Sequence, residues 1–302
     1  MLNVGIFGDN AFADTFGKKG TTNDIAIRNH KSSEGTFIYV HPDSDKIQSL
    51  MQSLNMIDIP VIVADRLTAE LGEIMIAVDE MKFDKGFVIA GDEDAVRGMV
   101  KGTSMERFEF VTRDELRERL IVLTVERDSE GLEIPVDNYF NVKGVGTVAL
   151  CIVKRGTIKV HDKVTLEPLG KDVVIKGIQV QDDFIDEAPA GTRVGLNLKG
   201  IESEELRRGY VLCRDMEKSK HIEVKFRKNR FCTEDISSGT QVMVSGGLQV
   251  VTFKILSSDG DILKLESEHD MVYRTGQRCV ILSINSKLPR IMGSGAILNG
   301  TE

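Results

Sequence analysis

The sequence predicts an α/β domain followed by two β-barrels, and two observations carry that prediction. Over residues 1–118, short apolar runs alternate with segments of helical periodicity, which favours a parallel sheet covered on both faces. Beyond residue 118, short runs rich in Val, Ile, Leu and Thr are separated by Gly, Asp and Lys, which is typical of barrels. Because a break near residues 213–218 divides this second part, we expect domains at 1–118, 119–213 and 214–302.

The elements of the first domain follow from the same patterns. Apolar runs predict strands at residues 2–7, 36–40, 59–64 and 86–90. Apolar positions at helical spacing predict helices over 46–55 and 67–81. A third helix is expected after Thr112, because Glu115 follows at capping-box spacing. In the barrel region, the clearest strand patterns lie at residues 146–153, 163–166, 173–176, 221–226 and 279–282.

Composition limits the class of protein. The chain has 302 residues, of which 41% are hydrophobic and 28% charged, and these values are those of a water-soluble globular protein. No apolar run reaches the ~18 residues that a membrane-spanning helix needs, and no leader pattern opens the sequence. We therefore expect a cytoplasmic protein without a membrane partner. Four cysteines lack metal-site spacing and are expected to be reduced structural thiols, at Cys151, Cys213, Cys232 and Cys279.

The net charge of -8 is unevenly distributed. Residues 1–118 contain 13 basic and 21 acidic side chains, whereas residues 119–213 contain 13 and 15 and residues 214–302 contain 13 and 11. An acidic domain repels a polyanion, while the last third of the chain permits one. We expect no DNA partner.

A failed phosphate-binding motif follows the first apolar run. A P-loop has the form Gly-x-x-x-x-Gly-Lys-[Ser/Thr], in which backbone amides and the lysine hold the phosphates. Residues 8–15 keep only Gly8 and Thr15 of that pattern, and Asp14 stands at the lysine position. A carboxylate there repels phosphates, so this is either no nucleotide site or a nucleotide fold that has lost its chemistry.

Residues 134–148 resemble the opening of the second domain of translational GTPases, with Pro135, Asp137 and the run Gly146-Thr147-Val148 in place. The resemblance continues through segments at residues 155–162, 176–180, 190–196 and 207–212. It is strongest to the SelB-like elongation factors of the EF-Tu superfamily, which deliver selenocysteinyl-tRNA. Residues 288–295 are similar to the last strand of their third domain. The resemblance implies a degenerate P-loop-NTPase-like domain followed by two barrels, as in EF-Tu.

The resemblance also assigns the family's nucleotide-site positions. They fall on Gly8, Asp14, Thr15, Thr22, His41, Asp45 and Asp94. Asp14 replaces the phosphate-binding lysine, His41 the metal-side aspartate and Asp45 the water-orienting histidine. Only eight positions separate Thr22 from Asp14, so nearly all of the switch-one segment is missing. We therefore expect no catalytic residue and no metal site, with GTP and Mg²⁺ as cofactors only if the degenerate site still binds them.

Each of these positions also has a purely structural interpretation. His41 is expected to be a surface loop residue rather than a catalytic base. The acidic run Asp92-Glu93-Asp94 is expected to be a solvated loop rather than a cation site. Without phosphates, Thr15 and Thr22 are expected to be a helix cap and a turn residue.

The second domain carries a candidate aminoacyl pocket. By the resemblance, Asp137, Asn138 and Arg193 lie where SelB-like factors recognise the selenol group. Because Asn138 replaces a histidine, selenolate is an unsuitable ligand; the resemblance permits another unusual aminoacyl-tRNA, such as pyrrolysyl-tRNA. The alternative, left open here, is that Asp137 is a turn acid and Arg193 a surface ion-pair partner.

Basic and aromatic residues alternate in the third domain, from Lys225 to Phe231. Four of these cations are candidate tRNA-phosphate contacts, Lys225, Arg227, Lys228 and Arg230. The alternative is a strand with Phe226 facing inward, followed by a charged turn.

Three functions are consistent with these features. The first is a SelB-like homologue that binds aminoacyl-tRNA through its barrels, with little or no GTP binding or hydrolysis. The second is a residual GTPase that delivers a special aminoacyl-tRNA to the ribosome. The third is an interaction module that binds the ribosome or translation factors without tRNA.

Overall fold

The computed structural model describes residues 1–285 and 287–300, without the side chains of Thr21, Thr22 and Asn299. The first domain contains seven strands, β1 (Leu2–Phe7), β2 (Lys18–Thr22), β3 (Ile25–Ser32), β4 (Gly35–Pro42), β5 (Ile59–Ala64), β6 (Phe87–Ala90) and β7 (Glu109–Phe110). They form one sheet in the order β2-β3-β4-β1-β5-β6-β7. The four strands predicted for this domain are all present.

The sheet is mixed, so the expectation of a purely parallel sheet is wrong at one edge. Strands β4, β1, β5, β6 and β7 run parallel, whereas β3 and β2 are antiparallel additions beside β4. Only residues 23–24 and 33–34 connect these edge strands. Connections of that length make hairpins and cannot make the crossover that a parallel pair needs.

Five helices accompany this sheet, α1 (Asn10–Ala13), α2 (Ile47–Met56), α3 (Ala69–Met81), α4 (Glu93–Val100) and α5 (Leu116–Ile121). The predicted helices correspond to α2, α3 and α5. The capping box is present, because Thr112 N donates to Glu115 Oε2 at 2.8 Å and Glu115 N donates to Thr112 Oγ1 at 3.3 Å. None of the helices in the described part of the chain is long and apolar enough to cross a membrane.

The second domain is a barrel. Its strands are β8 (Leu132–Val142), β9 (Gly146–Ile152), β10 (Thr157–Lys159), β11 (Lys163–Glu167), β12 (Lys171–Val180), β13 (Asp183–Ile185), β14 (Glu187–Pro189), β15 (Arg193–Lys199) and β16 (Val211–Arg214). The order β11-β16-β8-β9-β15-β12 closes on itself because β11 also pairs with β12. The resulting core is almost entirely aliphatic.

The third domain is a closed six-stranded barrel. Its strands are β17 (Glu217–Lys228), β18 (Gln241–Gly246), β19 (Gln249–Asp259), β20 (Ile262–Tyr273), β21 (Arg278–Ser283) and β22 (Ile291–Gly300). They are ordered β17-β20-β19-β18-β21-β22. The strand patterns predicted for both barrels are confirmed. The boundary at 118/119 stays a prediction. In the structure it falls within α5, which ends eleven positions before the first residue of β8.

The first domain packs directly on both barrels. The apolar core beneath α2 and α3 continues into Leu248, Val280 and Ile291 of the third domain. Helix α3 also contributes two buried carboxylates to that interface, Glu73 and Glu80. On the other side, Lys154 of the second domain donates to the carbonyl oxygen of Asn55 at the end of α2, at 2.8 Å. The three domains therefore form one closely packed body.

Candidate functional site

The motif at residues 8–15 begins where β1 ends. Gly8 has a φ of +98°, and a Cβ atom on it would lie 2.2 Å from the carbonyl oxygen of Val63 in β5. Only glycine fits that position, because a side chain would meet backbone at an impossible distance. Packing against the neighbouring strand is therefore sufficient reason for this glycine, without a phosphate.

Backbone amides at and after the first turn of helix α1 are bonded within the helix. Asp9 Oδ1 accepts from Phe12 N at 2.9 Å, while Ala13 N and Asp14 N donate to the carbonyl oxygens of Asp9 and Asn10. A phosphate site depends on unpaired amides at a helix N-terminus or in a glycine-rich loop. In this chain the carboxylate of Asp9 occupies the anion position at the start of α1.

Arg113 bridges two carboxylates at the same edge of the sheet. Its Nη2 lies 2.8 Å from Asp9 Oδ2 and 2.5 Å from Asp65 Oδ2, and its Cζ lies 4.3 Å from the centre of the Phe12 ring. Hydrogen bonding from Arg113, followed by that from Phe12 N, holds the pKa of Asp9 below its usual value. An anionic ligand entering here would have to displace an ion pair that already satisfies the cation.

Sequence reasoning did not single out Asp65 or Arg113. A signal was present in the sequence, since Asp65 directly follows β5, Asp9 lies two residues beyond β1 and Arg113 lies three residues beyond β7. Side chains in those places meet at the carboxyl edge of the sheet, where α/β domains bind ligands.

Asp14, at the lysine position, is paired with two basic side chains. Its Oδ1 lies 2.5 Å from Arg28 Nη2 and 3.2 Å from His41 Nε2. Burial works to raise the pKa of Asp14, but the hydrogen bonds from Arg28 and His41 outweigh it, and the pKa is lowered. The two positions expected to match the family's lysine and metal-side aspartate thus hold a carboxylate and an imidazole in contact.

The expectation that His41 is a surface loop residue is wrong. Strand β4 extends through Pro42, and His41 pairs with Ala26 of the neighbouring strand β3. Its side chain is only 2% exposed. The extra hairpin that adds β2 and β3 to the sheet is what buries it.

The expectation that the acidic run at 92–94 is a loop is wrong. Asp92 is the N-cap of α4, with Oδ1 accepting from Ala95 N at 3.0 Å, and Glu93 and Asp94 form its first turn. Acidic residues are favoured at those positions because they interact well with the helix dipole. Their charge is therefore accounted for by helix formation.

The remaining motif positions have backbone roles or lie at strand ends. Thr15 follows α1, and its Oγ1 donates to the carbonyl oxygen of Phe12 at 2.8 Å, so it interacts with the end of the helix. Thr22, expected in a turn, is the last residue of β2; its side chain is outside the described part. The carbonyl oxygen of Asp45 accepts from Arg290 Nη1 at 2.9 Å.

A cleft of about 1060 Å³ lies between this edge of the sheet and the third domain. We call it the strand-end cleft. Its acidic lining residues outnumber its basic ones and are Asp9, Asp43, Asp45, Asp65, Glu70 and Glu73, against Lys46, Arg66 and Arg290. Within residues 1–285 and 287–300, no three His, Cys, Asp or Glu side chains are grouped to hold a metal ion.

The candidate aminoacyl residues are brought together but are buried. Asp137 in β8 and Arg193 in β15 form an ion pair with side chains only 5% and 10% exposed. Asp137 is therefore not a turn acid, and Arg193 is not a surface residue. Burial raises the pKa of Asp137, against the opposing effect of Arg193, and its Oδ1 has no hydrogen-bond partner in the described structure.

The first domain covers this pair. Arg208 Nε donates to the carbonyl oxygen of Asp137 at 3.0 Å, and its Nη1 lies 2.5 Å from Oδ1 of Asp24 in the first domain. The remaining cavity, beside Asn138 and Ile25, has a volume of about 10 Å³, which is room for one water molecule. The pocket is closed in this conformation.

The four candidate tRNA contacts occupy two places. Lys225 is on the outer surface of β17, 3.8 Å from Asp261. Arg227, Lys228 and Arg230 border a second cleft, between the third domain and α3. Phe226 is buried in the barrel core, as the structural alternative expected. This placement does not decide whether these cations contact tRNA, and that stays a prediction.

An α/β domain followed by two closed barrels that pack on it is the architecture of EF-Tu and SelB. The family model Elongation factor Tu domain 2 matches residues 146–213. SelB from Methanococcus maripaludis, in complex with the GTP analogue GppNHp, superimposes with a TM-score of 0.81 at 19% identity, over 99% of this chain and 79% of that chain. This likeness shows the fold.

Two sequence relatives specify the family. The uncharacterized protein MJ0325 of Methanocaldococcus jannaschii is 35% identical over 306 residues, covering 98% of this chain and 99% of that protein. The selenocysteine-specific elongation factor of the same organism is 36% identical over 112 residues, which are 37% of this chain and 24% of that protein. The chain belongs to the family of MJ0325 and is a SelB-like homologue within the EF-Tu superfamily.

Proposed function

We propose that this SelB-like homologue acts without GTP and binds aminoacyl-tRNA through its barrels. The observation that carries the first part is the pairing of Asp14 with Arg28 and His41. Phosphoryl transfer depends on neutralising charge around the β- and γ-phosphates and on positioning the attacking water. A carboxylate at the lysine position adds negative charge, and the nearby Arg28 and His41 side chains are already paired with it.

The shape of the site supports the same proposal. Asp9 occupies the anion position at α1, and Arg113 is shared by Asp9 and Asp65. GTP would have to separate these charges and would then face the acidic lining of the strand-end cleft. Each step opposes binding, so we expect neither tight binding of GTP nor turnover.

Binding of tRNA is proposed from the barrels. The side chains of Lys225 and Arg227 are 64% and 68% exposed, in the part of the chain where basic residues outnumber acidic ones. The buried pair of Asp137 and Arg193 lies where the resemblance places the aminoacyl pocket. We place this activity in the cytoplasm, with the ribosome or translation factors as further partners.

A gel-shift titration tests the tRNA proposal. Aminoacylated and deacylated tRNA are titrated separately with the full chain at low and at high salt. We expect a complex that weakens as salt rises, because phosphate contacts release counterions. The double variant Lys225→Glu, Arg227→Glu should weaken the tRNA complex. Lys254→Glu, on the outer surface of β19, serves as the matched control. Failure of both tRNA forms to bind at low salt would refute the proposal.

The acidic strand-end cleft favours one further candidate, in which the first domain binds a basic surface of the translation machinery without tRNA. The same titration separates the two, since this candidate gives no tRNA complex. It predicts instead a salt-sensitive interaction with ribosomal subunits. Replacing Asp43 and Asp45, which line the cleft, by lysine should abolish that interaction.

A further inference from the structure

A second cleft, of about 500 Å³, lies between helix α3 and the turn that follows β17. We call it the α3 cleft. Its wall is largely apolar and includes Met75, Ile76, Met99, Phe231 and Leu288. Two of these side chains are substantially exposed, Met99 at 40% and Phe231 at 49%. A pocket of this size and character is typical of sites that hold an apolar group, and methionine adapts to different ligands.

Gly72 lies in the interior of α3 and lines this cleft. A Cβ atom on it would have no heavy atom within 4 Å. Glycine disfavours a helix relative to alanine, so a glycine in this position weakens α3. In the described part of the chain, no neighbouring group requires residue 72 to lack a side chain. A ligand lying against the helix backbone would require it.

The charge left over in the α3 cleft is positive. Its three carboxylates are all paired with cations of the chain: Glu73 with Arg290, Asp79 with Lys82, and Glu80 with Arg227 at 3.7 Å. The cations at its mouth are less well paired. Lys228 donates only to the carbonyl oxygen of Glu234, and Arg230 lies over the Phe231 ring, with no ion pair for either among the described residues.

We propose that the α3 cleft binds an acidic segment of a partner protein, which inserts a large apolar side chain against Gly72 and places its carboxylates near Lys228 and Arg230. Peptides with apolar anchors at regular spacing use grooves of this kind. An RNA strand would meet the same cations, but its phosphates gain nothing from a wall of methionine, isoleucine and leucine. The apolar wall and the open space beside Gly72 therefore favour a protein segment.

The α3 cleft shares Arg227, Lys228 and Arg230 with the candidate tRNA contacts, but peptide binding is measured without GTP and without tRNA. A failure of one proposal leaves the other standing. In particular, filling the space beside Gly72 should leave GTP calorimetry unchanged, since neither Asp14 nor Arg113 lines the α3 cleft.

The test uses the full chain and short random peptides displayed on phage. Peptides are selected on the wild-type protein after removal of those that bind Gly72→Leu. Gly98→Leu is the matched control, because Gly98 also lies in a helix, has free space for a Cβ and does not line the cleft. Melting temperatures of both variants establish that they fold. Synthetic peptides are then measured by fluorescence anisotropy.

We expect the enriched peptides to combine Asp or Glu with Leu, Phe or Trp. Gly72→Leu should weaken them at least ~10-fold, while Gly98→Leu leaves them within about twofold. Arg230→Glu should also weaken them, and this variant keeps the test decisive if Gly72→Leu does not fold. No enrichment, enrichment of basic peptides, or equal affinity for the variants would overturn the proposal. So would a single-stranded RNA probe whose binding to wild type is lost on Gly72→Leu.

Discussion

The carboxylate of Asp14 lies 3.2 Å from Nε2 of His41, and this contact joins the two positions that the resemblance assigns to the family's lysine and metal-side aspartate. Arg28 completes the group from the neighbouring strand. In the first domain, internal ion pairs lie where nucleotide contacts were expected, and several measurable consequences follow from these pairs.

Restoring the lysine by Asp14→Lys should destabilise the protein and leave GTP binding absent. The new cation would face Arg28 and the buried His41 without a carboxylate between them. Because the side chain of Asp14 is half-exposed, we expect a loss of about 1 kcal/mol in the free energy of unfolding. Urea unfolding of wild type and variant measures it. Asp259→Lys, at an exposed position at the end of β19, is the control and should change stability little. Measurable GTP turnover by Asp14→Lys would instead favour a residual GTPase.

The pairing of Asp9 with Arg113 predicts a stability that falls in acid. The pKa of folded Asp9 is held below its unfolded value, ~3.9, by Arg113 and by Phe12 N. Its contribution is therefore complete above about pH 5 and is lost as the pH drops through the lowered folded value. Urea midpoints between neutral pH and the acid limit of folding should fall for wild type. Asp9→Asn should be less stable at neutral pH and less sensitive to acid; an identical acid dependence would contradict the pairing.

Glu73→Ala should be among the most damaging substitutions in α3. The carboxylate is 3% exposed and accepts from Arg290 N, Nε and Nη2, so its removal leaves the Arg290 guanidinium without its carboxylate at the interface with the third domain. We expect the free energy of unfolding to fall by about 3 kcal/mol, because removing one partner of a buried pair leaves the other charge buried and uncompensated. Glu93→Ala, which removes an exposed pair with Arg97 in α4, should change stability by less than about 0.5 kcal/mol. Equal effects of the two substitutions would show that the interface does not depend on Glu73.

Breaking the contact between Asp24 and Arg208 should open the pocket beside Asp137. That ion pair joins the first domain to the second above a cavity with room for only one water molecule. If aminoacyl-tRNA uses this pocket, Asp24→Ala should raise its affinity by up to ~10-fold relative to deacylated tRNA, because the closed state loses stability. Asp183→Ala, which removes the exposed pair with Lys31 between the same domains, should leave the ratio unchanged. A fall in the ratio for Asp24→Ala would argue that the contact helps to form the pocket.

The sequence predicted most of the fold because most of it follows from periodicity. Apolar runs and helical stripes identified β1, β4, β5, β6, α2 and α3, and the barrel strands followed from dense β-branched runs. Strand β2 was missed because its sequence, Lys-Lys-Gly-Thr-Thr, lacks an apolar face. Helix α4 was missed because its acidic start was interpreted as a loop, although Asp, Glu and Asp at the first positions favour a helix.

The site was predictable in identity but not in its contacts. Comparison with the motif predicted which residue types are replaced, with Asp14 at the lysine position and His41 at the metal-side aspartate position. It could not show what replaces the ligand, because the partners are distant in sequence; Asp9 and Arg113 are 104 positions apart. Only the order of strands in the sheet brings them to one edge.

Calorimetric titration of the full chain with GTP and Mg²⁺ tests the central claim most directly. The internal ion pairs at Asp9 and Asp14 predict no saturable heat up to about millimolar nucleotide, where binding would be worth only ~4 kcal/mol. The same result is predicted for GDP. A saturable isotherm with micromolar affinity that depends on Mg²⁺ would contradict the account and would show that the first domain binds GTP.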